Sequence, residues 1–462
     1  MQEEFLGYHS EWNLGSPGGW DYQRMAQEIG KIAWRAINKH GKIGIELDFD
    51  DPALNPVPNF SELLLRANRM NYPGEKPFIA LVAEKETLEK VGENIRFVKY
   101  LNTLPDVKAV LTEPSQILSR NGEIYYGNNR ITSIFLDFNN SVIARLESEH
   151  AADGLLSAIK RGLVTNPRGM EPVGAKGVFE AVTSEYRDMM SETTLNRTPW
   201  TRQFYRRSTD GPDGEDIKDL IMWVKHNWDK VILKPVHGYS GKGIIIGHKE
   251  DNPDLAINKA LDAGDYIVQP LIPLRLWAED FPWLDKTTKK LFIKRWQTDF
   301  RCFVTDAGLI GFVTRFGGIP TNVGSGGGVQ SAAILRSDVP LAEAVKSVNE
   351  AVLRLGFDAV SKIQNGLDGV SREIGNVYLL GPIMCTLRPR IITQKQIGKL
   401  REYAENLWCD ALQLEKLWLE GKLARYVQLG PDEEKIALLA PWKGRPALIA
   451  SDGLFGFTGE VA

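Results

Sequence analysis

The sequence predicts a mixed α/β (α+β) protein of two or three domains. A chain of 462 residues is too long for one compact core. Strand-like and helix-like segments alternate over residues 76–143, a rhythm typical of βαβ packing. After Gln330 the pattern becomes mostly helical. We therefore expect an α/β region at 1–165, a central region at 166–335 and a mostly helical region at 336–462.

Composition and charge exclude several classes of protein. The net charge of −3 argues against a general nucleic-acid binder. Cys302, Cys385 and Cys409 stand far apart, without the spacing of a zinc site or of a disulfide framework. Residues 1–5 lack the basic and apolar parts of a signal peptide, and no apolar run approaches the ~18 residues of a membrane helix. We expect a cytoplasmic protein without a membrane or nucleic-acid partner. A homodimer is possible on this sequence.

Turn residues and periodicity place the first elements. Residues 5–13 can alternate as a strand, and a dense Gly/Pro turn follows at 14–19. Asn121-Gly122 is typical of a hairpin turn. Apolar residues recur at helical spacing from Ile397 to Trp418, which predicts a long helix with its stripe in the core. Further predicted elements are helices at 22–39, 86–101 and 217–228 and strands at 78–83 and 108–111.

A glycine-rich segment at 234–243 separates two apolar, β-prone runs, 231–233 and 244–246. The simplest geometry is a pair of antiparallel strands joined by a flexible loop. Such a loop exposes backbone N–H groups and approaches a polyphosphate closely, because glycine has no side chain. Lys234 would add a positive charge at the end of the first strand. A purely structural hairpin turn is the alternative.

Two familiar phosphate motifs fail on spacing. The Walker pattern needs a glycine where Val236 stands, and a serine or threonine where Gly243 follows Lys242. The dinucleotide pattern orders its glycines differently and is followed by a helix, whereas an apolar β-prone run follows here.

Further motifs follow in order: a strand ending at Val268-Gln269, the strand Asp299-Phe300-Arg301, then Arg315 and a segment from Thr321 to Gly328. This set resembles the ATP-grasp superfamily. Its members share a strand ending in Lys-Pro, a glycine lid, a strand ending in Gln or Glu beside the adenine, a D-x-R strand, and an Arg followed by an Asn and Gly cluster. The resemblance covers about residues 166–330.

The resemblance implies ATP as a cofactor and gives a role to each matching residue. Arg301 and Arg315 would steady the transferred phosphoryl group, with Asn322 nearby, and Gln269 would lie beside the adenine. Asp299 and Arg301 share one face of their strand, and a structural ion pair is the other interpretation. The residues expected to hold the phosphates are Lys176, Lys234, Gly238, Ser240, Gly241 and Gly243.

Most members carry a late Glu-x-Asn strand that holds Mg²⁺, and none follows Gly328 here. Near the start, Glu11-Trp12-Asn13 before a Pro-Gly turn looks like this element. Glu11 and Asn13 share one strand face, and oxygen ligands suit Mg²⁺. The order resembles circularly permuted ATP-grasp enzymes, namely glutathionylspermidine synthetases and the eukaryotic type of glutathione synthetase.

The permuted relatives also match the hairpin at 121–126 and the Asn166-Pro167 segment before Lys176. They carry an Arg-x-Asp strand before Glu-x-Asn, with a further metal carboxylate, and no such strand precedes Glu11. The segment at 445–455 resembles it instead. We therefore hypothesise that Asp452 approaches Glu11 as a third metal ligand; an ordinary terminal hairpin is the alternative.

The family implies a carboxylate–amine ligase that forms an amide or peptide bond through an acyl phosphate. The substrates would be a small-molecule or peptide carboxylate and an amine, bound by loops expected at 50–60 and 274–290. Two other functions stay open: a phosphotransferase on the same fold, and a degenerate ATP-binding protein without ligase activity.

Overall fold

The structure is a computed structural model that describes residues 5–238, 241–272, 278–318, 321, 323, 326–375, 377–378 and 381–457. Within these ranges, no helix has both the length and the apolar character needed to cross a membrane. The division into three regions stays a prediction.

The described elements alternate between strands and helices through most of the chain. The strands are β1 (Phe5–Asn13), β2 (Leu47–Asp48), β3 (Phe78–Val82), β4 (Lys108–Thr112), β5 (Ile117–Arg120), β6 (Glu123–Tyr126), β7 (Asn129–Arg130), β8 (Ser133–Leu136), β9 (Arg202–Gln203), β10 (Thr209–Asp210), β11 (Asp216–Ile217), β12 (Val231–Pro235), β13 (Ile245–Ile246), β14 (Tyr266–Pro270), β15 (Ala278–Asp285), β16 (Lys290–Thr305), β17 (Gly308–Gly317), β18 (Gly328–Gln330), β19 (Ala332–Leu335), β20 (Val377–Tyr378), β21 (Gly381–Pro382), β22 (Arg390–Ile392) and β23 (Ile449–Phe457). The helices are α1 (Trp20–Gly41), α2 (Pro56–Asn71), α3 (Gly92–Leu101), α4 (Asn140–Ser148), α5 (Asp153–Arg161), α6 (Val178–Thr183), α7 (Glu192–Arg197), α8 (Leu220–His226), α9 (Pro253–Ala263), α10 (Leu341–Glu373), α11 (Gln394–Leu419), α12 (Ala424–Val427) and α13 (Pro431–Leu439).

A large antiparallel sheet has the strand order β1-β23-β16-β17-β18, with β15 paired to the outer part of β16. The first and last strands are neighbours, and β1 joins the sheet through β23. Their register sets Glu11 opposite Asp452, which is in turn opposite Arg301 of β16. Residues directly opposite one another project to the same face of a sheet, so these three side chains share a face.

The other face of this sheet is apolar. Trp12, Phe300 and Cys302 are buried there in the core formed with α11. The helix predicted from Ile397 to Trp418 is confirmed as α11, and its apolar stripe is buried. Thr393 and Gln396 close its first turn as a capping box, which fixes where it begins. The opposite face carries the acidic and arginine side chains, and beside them Phe303, Val313 and Ala450 are buried in a second core with α1 and α2.

A smaller antiparallel sheet has the order β13-β12-β14-β9. The strands predicted on either side of the glycines do pair, with Ile232 opposite Ile246 and Leu233 opposite Ile245. The glycine loop therefore lies at the end of a hairpin, as predicted, although its second strand begins at Ile245. Helices α8 and α9 supply apolar side chains to the core of this sheet.

The predicted βαβ packing is confirmed in a parallel sheet of order β4-β3-β8. Asn121 and Gly122 both have positive φ, 51° and 77°, as a tight hairpin turn requires. The Gly/Pro turn contacts the carboxyl end of β8. There the Ser16 hydroxyl donates to the carbonyls of Leu136 and Phe138, both at 2.9 Å.

Two predicted segments differ in the structure. The helix expected from residue 86 begins at Gly92, because glycine disfavours a helix interior, and a 3-10 turn forms at Lys85–Thr87. The segment at 50–60 contains the start of α2, and most of 274–290 forms β15 and its turn. Residues 273–277 lie outside the described residues.

Candidate functional site

Two buried lysines meet the middle of β1. The Lys176 ammonium donates to the carbonyl of Gly238 at 2.9 Å and lies 3.5 Å from a carboxylate oxygen of Glu11. The Lys234 ammonium donates to the carbonyl of Ser10 at 3.3 Å. Burial, and then the charge of Lys176, lower the pKa of Lys234 to about 8, against the opposing effect of Glu11. The structure therefore brings both predicted phosphate lysines to one point beside Glu11.

The glycine loop has a backbone that only glycine adopts without strain. Gly238, Gly241 and Gly243 have φ of 125°, 73° and 75°. A Cβ on Gly243 would also lie 2.8 Å from the Pro235 ring. Ser240 lies outside the described residues, so its predicted contact with ATP has no structural account.

The space between the loop and β1 is almost closed. Glu11, Lys176, Gly238 and Lys242 are among the residues around a cavity of about 10 Å³. That volume holds roughly one water molecule, whereas a small-molecule site has ~300 Å³ or more. The space that these described residues enclose is therefore too small for a nucleotide.

Gln269 lies on β14, next to β12, and is buried. Its side-chain amide donates to the hydroxyl of Thr201 at 2.8 Å. The adenine role of Gln269 stays a prediction.

Four charged side chains form a network on the polar face of the large sheet. Arg301 donates two hydrogen bonds to Asp452, at 2.5 and 2.6 Å, and a third to the carbonyl of Gly18 at 2.8 Å. Arg315 donates to both oxygens of Asp299, at 2.8 and 2.7 Å, and to Asp452 at 3.1 Å. Paired geometry of this kind fixes a guanidinium in position.

The charges of this network cancel. Burial alone would raise the pKa of Asp452, but Arg301 and Arg315 hold it well below its ordinary value. In turn, Asp299 and Asp452 raise the pKa of Arg315, against the opposing effect of burial. The two arginines are therefore fixed and neutralised, and their role at a phosphoryl group stays a prediction. Asn322 lies outside the described residues.

The predicted metal ligands fit Mg²⁺ to different degrees. The Glu11 side chain is 30% exposed, and the side chain of Asn13, on the same strand face, has no hydrogen bond within the described part of the chain. Both oxygens of Asp452 already accept from arginines. The described residues contain no cluster of three or more His, Cys, Asp or Glu that could hold an ion. Mg²⁺ is commonly held by one or two carboxylates together with phosphates, so Glu11 and Asn13 fit and Asp452 as it stands does not.

Sequence reasoning missed Glu93. Its buried carboxylate accepts from the backbone N–H of Gly19, with both oxygens at 2.9 Å, and from that of Asp21 at 2.8 Å, at the start of α1. Burial raises the pKa of Glu93 to about 8. Because Gly18 beside it accepts from Arg301, Glu93 helps to place the turn that holds this arginine. No local pattern links residues so far apart in sequence.

No protein-family model and no curated protein matches the sequence. The chain is similar to solved structures at low identity. A RimK domain ATP-grasp protein from Sphaerobacter thermophilus is 12% identical over 71% of this chain and 97% of its own, with a TM-score of 0.29. A protein assigned as a gamma-glutamylcysteine synthetase from Methylobacillus flagellatus is 13% identical over 79% and 99%, with a TM-score of 0.31. D-alanyl-alanine synthetase A from Vibrio cholerae is 12% identical over 48% and 67%, with a TM-score of 0.26.

Each of these structures is under 25% identical to the chain, so membership of the ATP-grasp superfamily stays a prediction. Because all three TM-scores are below 0.5, these likenesses carry no argument about the site. The circular permutation stays a prediction.

Proposed function

We propose that the chain is an ATP-dependent, Mg²⁺-dependent carboxylate–amine ligase that forms an amide or peptide bond and releases ADP. One observation supports the proposal: Lys176 and Lys234, beside the glycine loop, both meet β1, the strand that carries Glu11 and Asn13. Lys176 contacts Glu11 and Lys234 contacts Ser10 of that strand.

In the proposed reaction, a carboxylate oxygen of the acid attacks the γ-phosphorus of ATP and ADP leaves. The amine nitrogen then attacks the acyl carbon, phosphate leaves, and the amine gives up a proton. The protein acts by positioning and electrostatics. Lys176, Lys234 and the backbone of residues 238–243 would hold the phosphates.

Glu11 and Asn13 would hold Mg²⁺, which neutralises phosphate charge when it is bound. Arg301 and Arg315 are held in place by Asp452 and Asp299, so they present fixed donors to the acyl phosphate. Closure of the glycine loop would exclude water, which otherwise hydrolyses an acyl phosphate.

The test is a panel of carboxylates and amines incubated with the chain and Mg²⁺-ATP. We expect ADP release that requires both an acid and an amine, with a condensed product detected by mass spectrometry. Lys234→Met serves as the inactive control. ADP release without an amine, together with a stable phosphorylated product, would instead indicate a phosphotransferase. Failure to bind Mg²⁺-ATP would indicate a degenerate protein.

A further inference from the structure

A cavity of about 580 Å³ lies away from the ATP cleft. It is bounded by β15, the C-terminal half of α10, the segment 383–387 and Ile29 of α1. Its volume falls within the range of small-molecule sites, ~300–1,000 Å³. None of the residues assigned above to ATP or Mg²⁺ lines it, so the proposed chemistry at the cleft leaves this cavity without a role.

The cavity has an apolar floor and a charged rim. Residues 364, 367, 368, 371 and 372 of α10 recur at helical spacing and face it together. Leu367, Leu387 and Ile29 form the floor and belong to one buried cluster. At the rim, the Lys286 ammonium pairs with Asp368 at 2.9 Å.

Arg372 supplies a cation at the rim, and its charge interacts with that of Asp368, four residues earlier on α10. It is exposed at the rim of the cavity, and no carboxylate of the described residues forms an ion pair with it. The nearby carboxylate of Asp285 accepts from the backbone N–H groups of Thr287 and Thr288, at 2.9 and 3.1 Å, and so closes its own turn. An apolar floor beside such an arginine suits an apolar side chain next to a carboxylate, as at the C-terminal end of a peptide.

The large sheet connects this cavity to the arginines of the cleft. Arg315 is opposite Val329, and Val329 forms a bridge to Cys385, which lines the cavity. Two strand spacings separate the backbones of Arg315 and Cys385 by about 10 Å. An extended peptide covers that distance in about three residues.

We propose that the cavity binds the apolar C-terminal residue of a short peptide whose amino group reaches the Arg315 side of the cleft. The amine substrate of the ligase would then be a peptide of about three residues. This assignment of substrate class rests on the proposed function, whereas the binding site itself does not require turnover.

Calorimetric titration with three tripeptide probes tests the site, with and without a non-hydrolysable ATP analogue and Mg²⁺. We expect Gly-Gly-Leu to bind at least about tenfold more tightly than Gly-Gly-Gly, because the leucine side chain becomes buried. We expect the C-terminal amide of Gly-Gly-Leu to bind about tenfold more weakly than the free acid, because it has no charge for Arg372. Equal binding of all three peptides, or no binding under either condition, would overturn the proposal.

Variants assign the binding to the cavity. Arg372→Ala should abolish the preference for the free acid over the amide, and Leu367→Trp should fill the floor and abolish the preference for leucine over glycine. Lys346→Ala is the matched control, since it removes an exposed cation from the part of α10 before the kink at Gly356, outside the cavity. Thermal unfolding checks that Leu367→Trp folds, and the surface variant Arg372→Ala tests the proposal if it does not. Wild-type selectivity in Arg372→Ala would contradict the site.

Different results would refute the ligase proposal and the peptide-site proposal. Selective binding of Gly-Gly-Leu without any ADP release would leave the cavity site standing and refute the ligase. ADP release with other amines, together with unselective peptide binding, would leave the ligase standing and refute the peptide site.

Discussion

The two walls of the proposed ATP site are built in different ways. The wall with Lys234 and the glycine loop comes from one hairpin within residues 231–246. The opposite wall combines β1, β16, β17 and β23, whose residues come from both ends of the chain and its middle. The first wall is cationic and the second has paired charges. The hairpin therefore supplies Lys234, Lys176 comes from the segment before α6, and long-range strand pairing supplies fixed acids and arginines.

The largest expected effect is in the wall with paired charges. Asp452→Asn removes the negative charge that pairs with Arg301 and with the buried Arg315, and we expect a loss of about 3 kcal/mol in the free energy of unfolding, because the buried Arg315 loses part of its compensation. Urea unfolding measures the loss. Asp213→Asn, in an exposed turn, is the control and should change stability by less than about 0.5 kcal/mol. An equal effect of both variants would show that the network does not hold this wall together.

Acid should reduce the contribution of the Asp452 carboxylate to the free energy of unfolding. The native pKa of Asp452 is depressed, so its stabilising effect is present above the ordinary aspartate pKa of about 4 and is lost as pH falls toward the native value. The difference in unfolding free energy between wild type and Asp452→Asn should therefore shrink as the pH is lowered below about 4. A difference that stays constant between pH 6 and pH 3 would contradict the ion-paired state of Asp452.

The cationic wall should respond through ligand affinity. Lys234→Met should weaken ATP binding about 100-fold, which corresponds to ~2.7 kcal/mol, because a buried positive charge is lost from the phosphate site. The pKa of Lys234 is lowered to about 8, so the wild type should also bind ATP more weakly as pH rises through 8. Titration calorimetry from pH 7 to pH 9 measures both effects. A similar pH dependence in Lys234→Met would assign the titration to another group.

The lowered pKa of Lys234 also predicts that stability rises with pH, whereas ATP affinity falls. Between about pH 8 and the ordinary lysine value near 10.4, the unfolded chain binds the proton and the native lysine does not. Stability should therefore rise with pH in this window, by more in the wild type than in Lys234→Met. Urea unfolding of both proteins at pH 8 and pH 10 checks the difference.

The smallest expected effect is in the glycine loop. Gly243→Ala places a Cβ against Pro235 at a positive φ, and we expect a loss of about 2 kcal/mol in stability. Gly214→Ala is matched, because it has φ of 81° and open space around its Cβ, and it should lose only about 1 kcal/mol. Equal losses would mean that the contact with Pro235 relaxes freely.

The contrast between the two walls also explains which parts of the fold and the site could be predicted from the sequence. Local patterns were sufficient for the strand at 5–13, the hairpin around the glycines and helix α11, because turn residues and periodicity act over short distances. The position of Asp452 opposite Glu11 was hypothesised from a family resemblance, and periodicity gave no indication of it. The partners of Asp452 and the capping of α1 by Glu93 depend on which charged groups meet after folding. No spacing in the sequence encodes that choice.

The most direct test of a single site between the two walls is the Mg²⁺ dependence of ATP affinity in Glu11→Gln. We expect Mg²⁺ to strengthen ATP binding at least about tenfold in the wild type, because the ion joins the phosphates to Glu11 and Asn13. Glu11→Gln should lose this gain and still bind metal-free ATP through Lys176 and Lys234. An unchanged Mg²⁺ gain in Glu11→Gln would contradict the account, since the metal would then be held without β1.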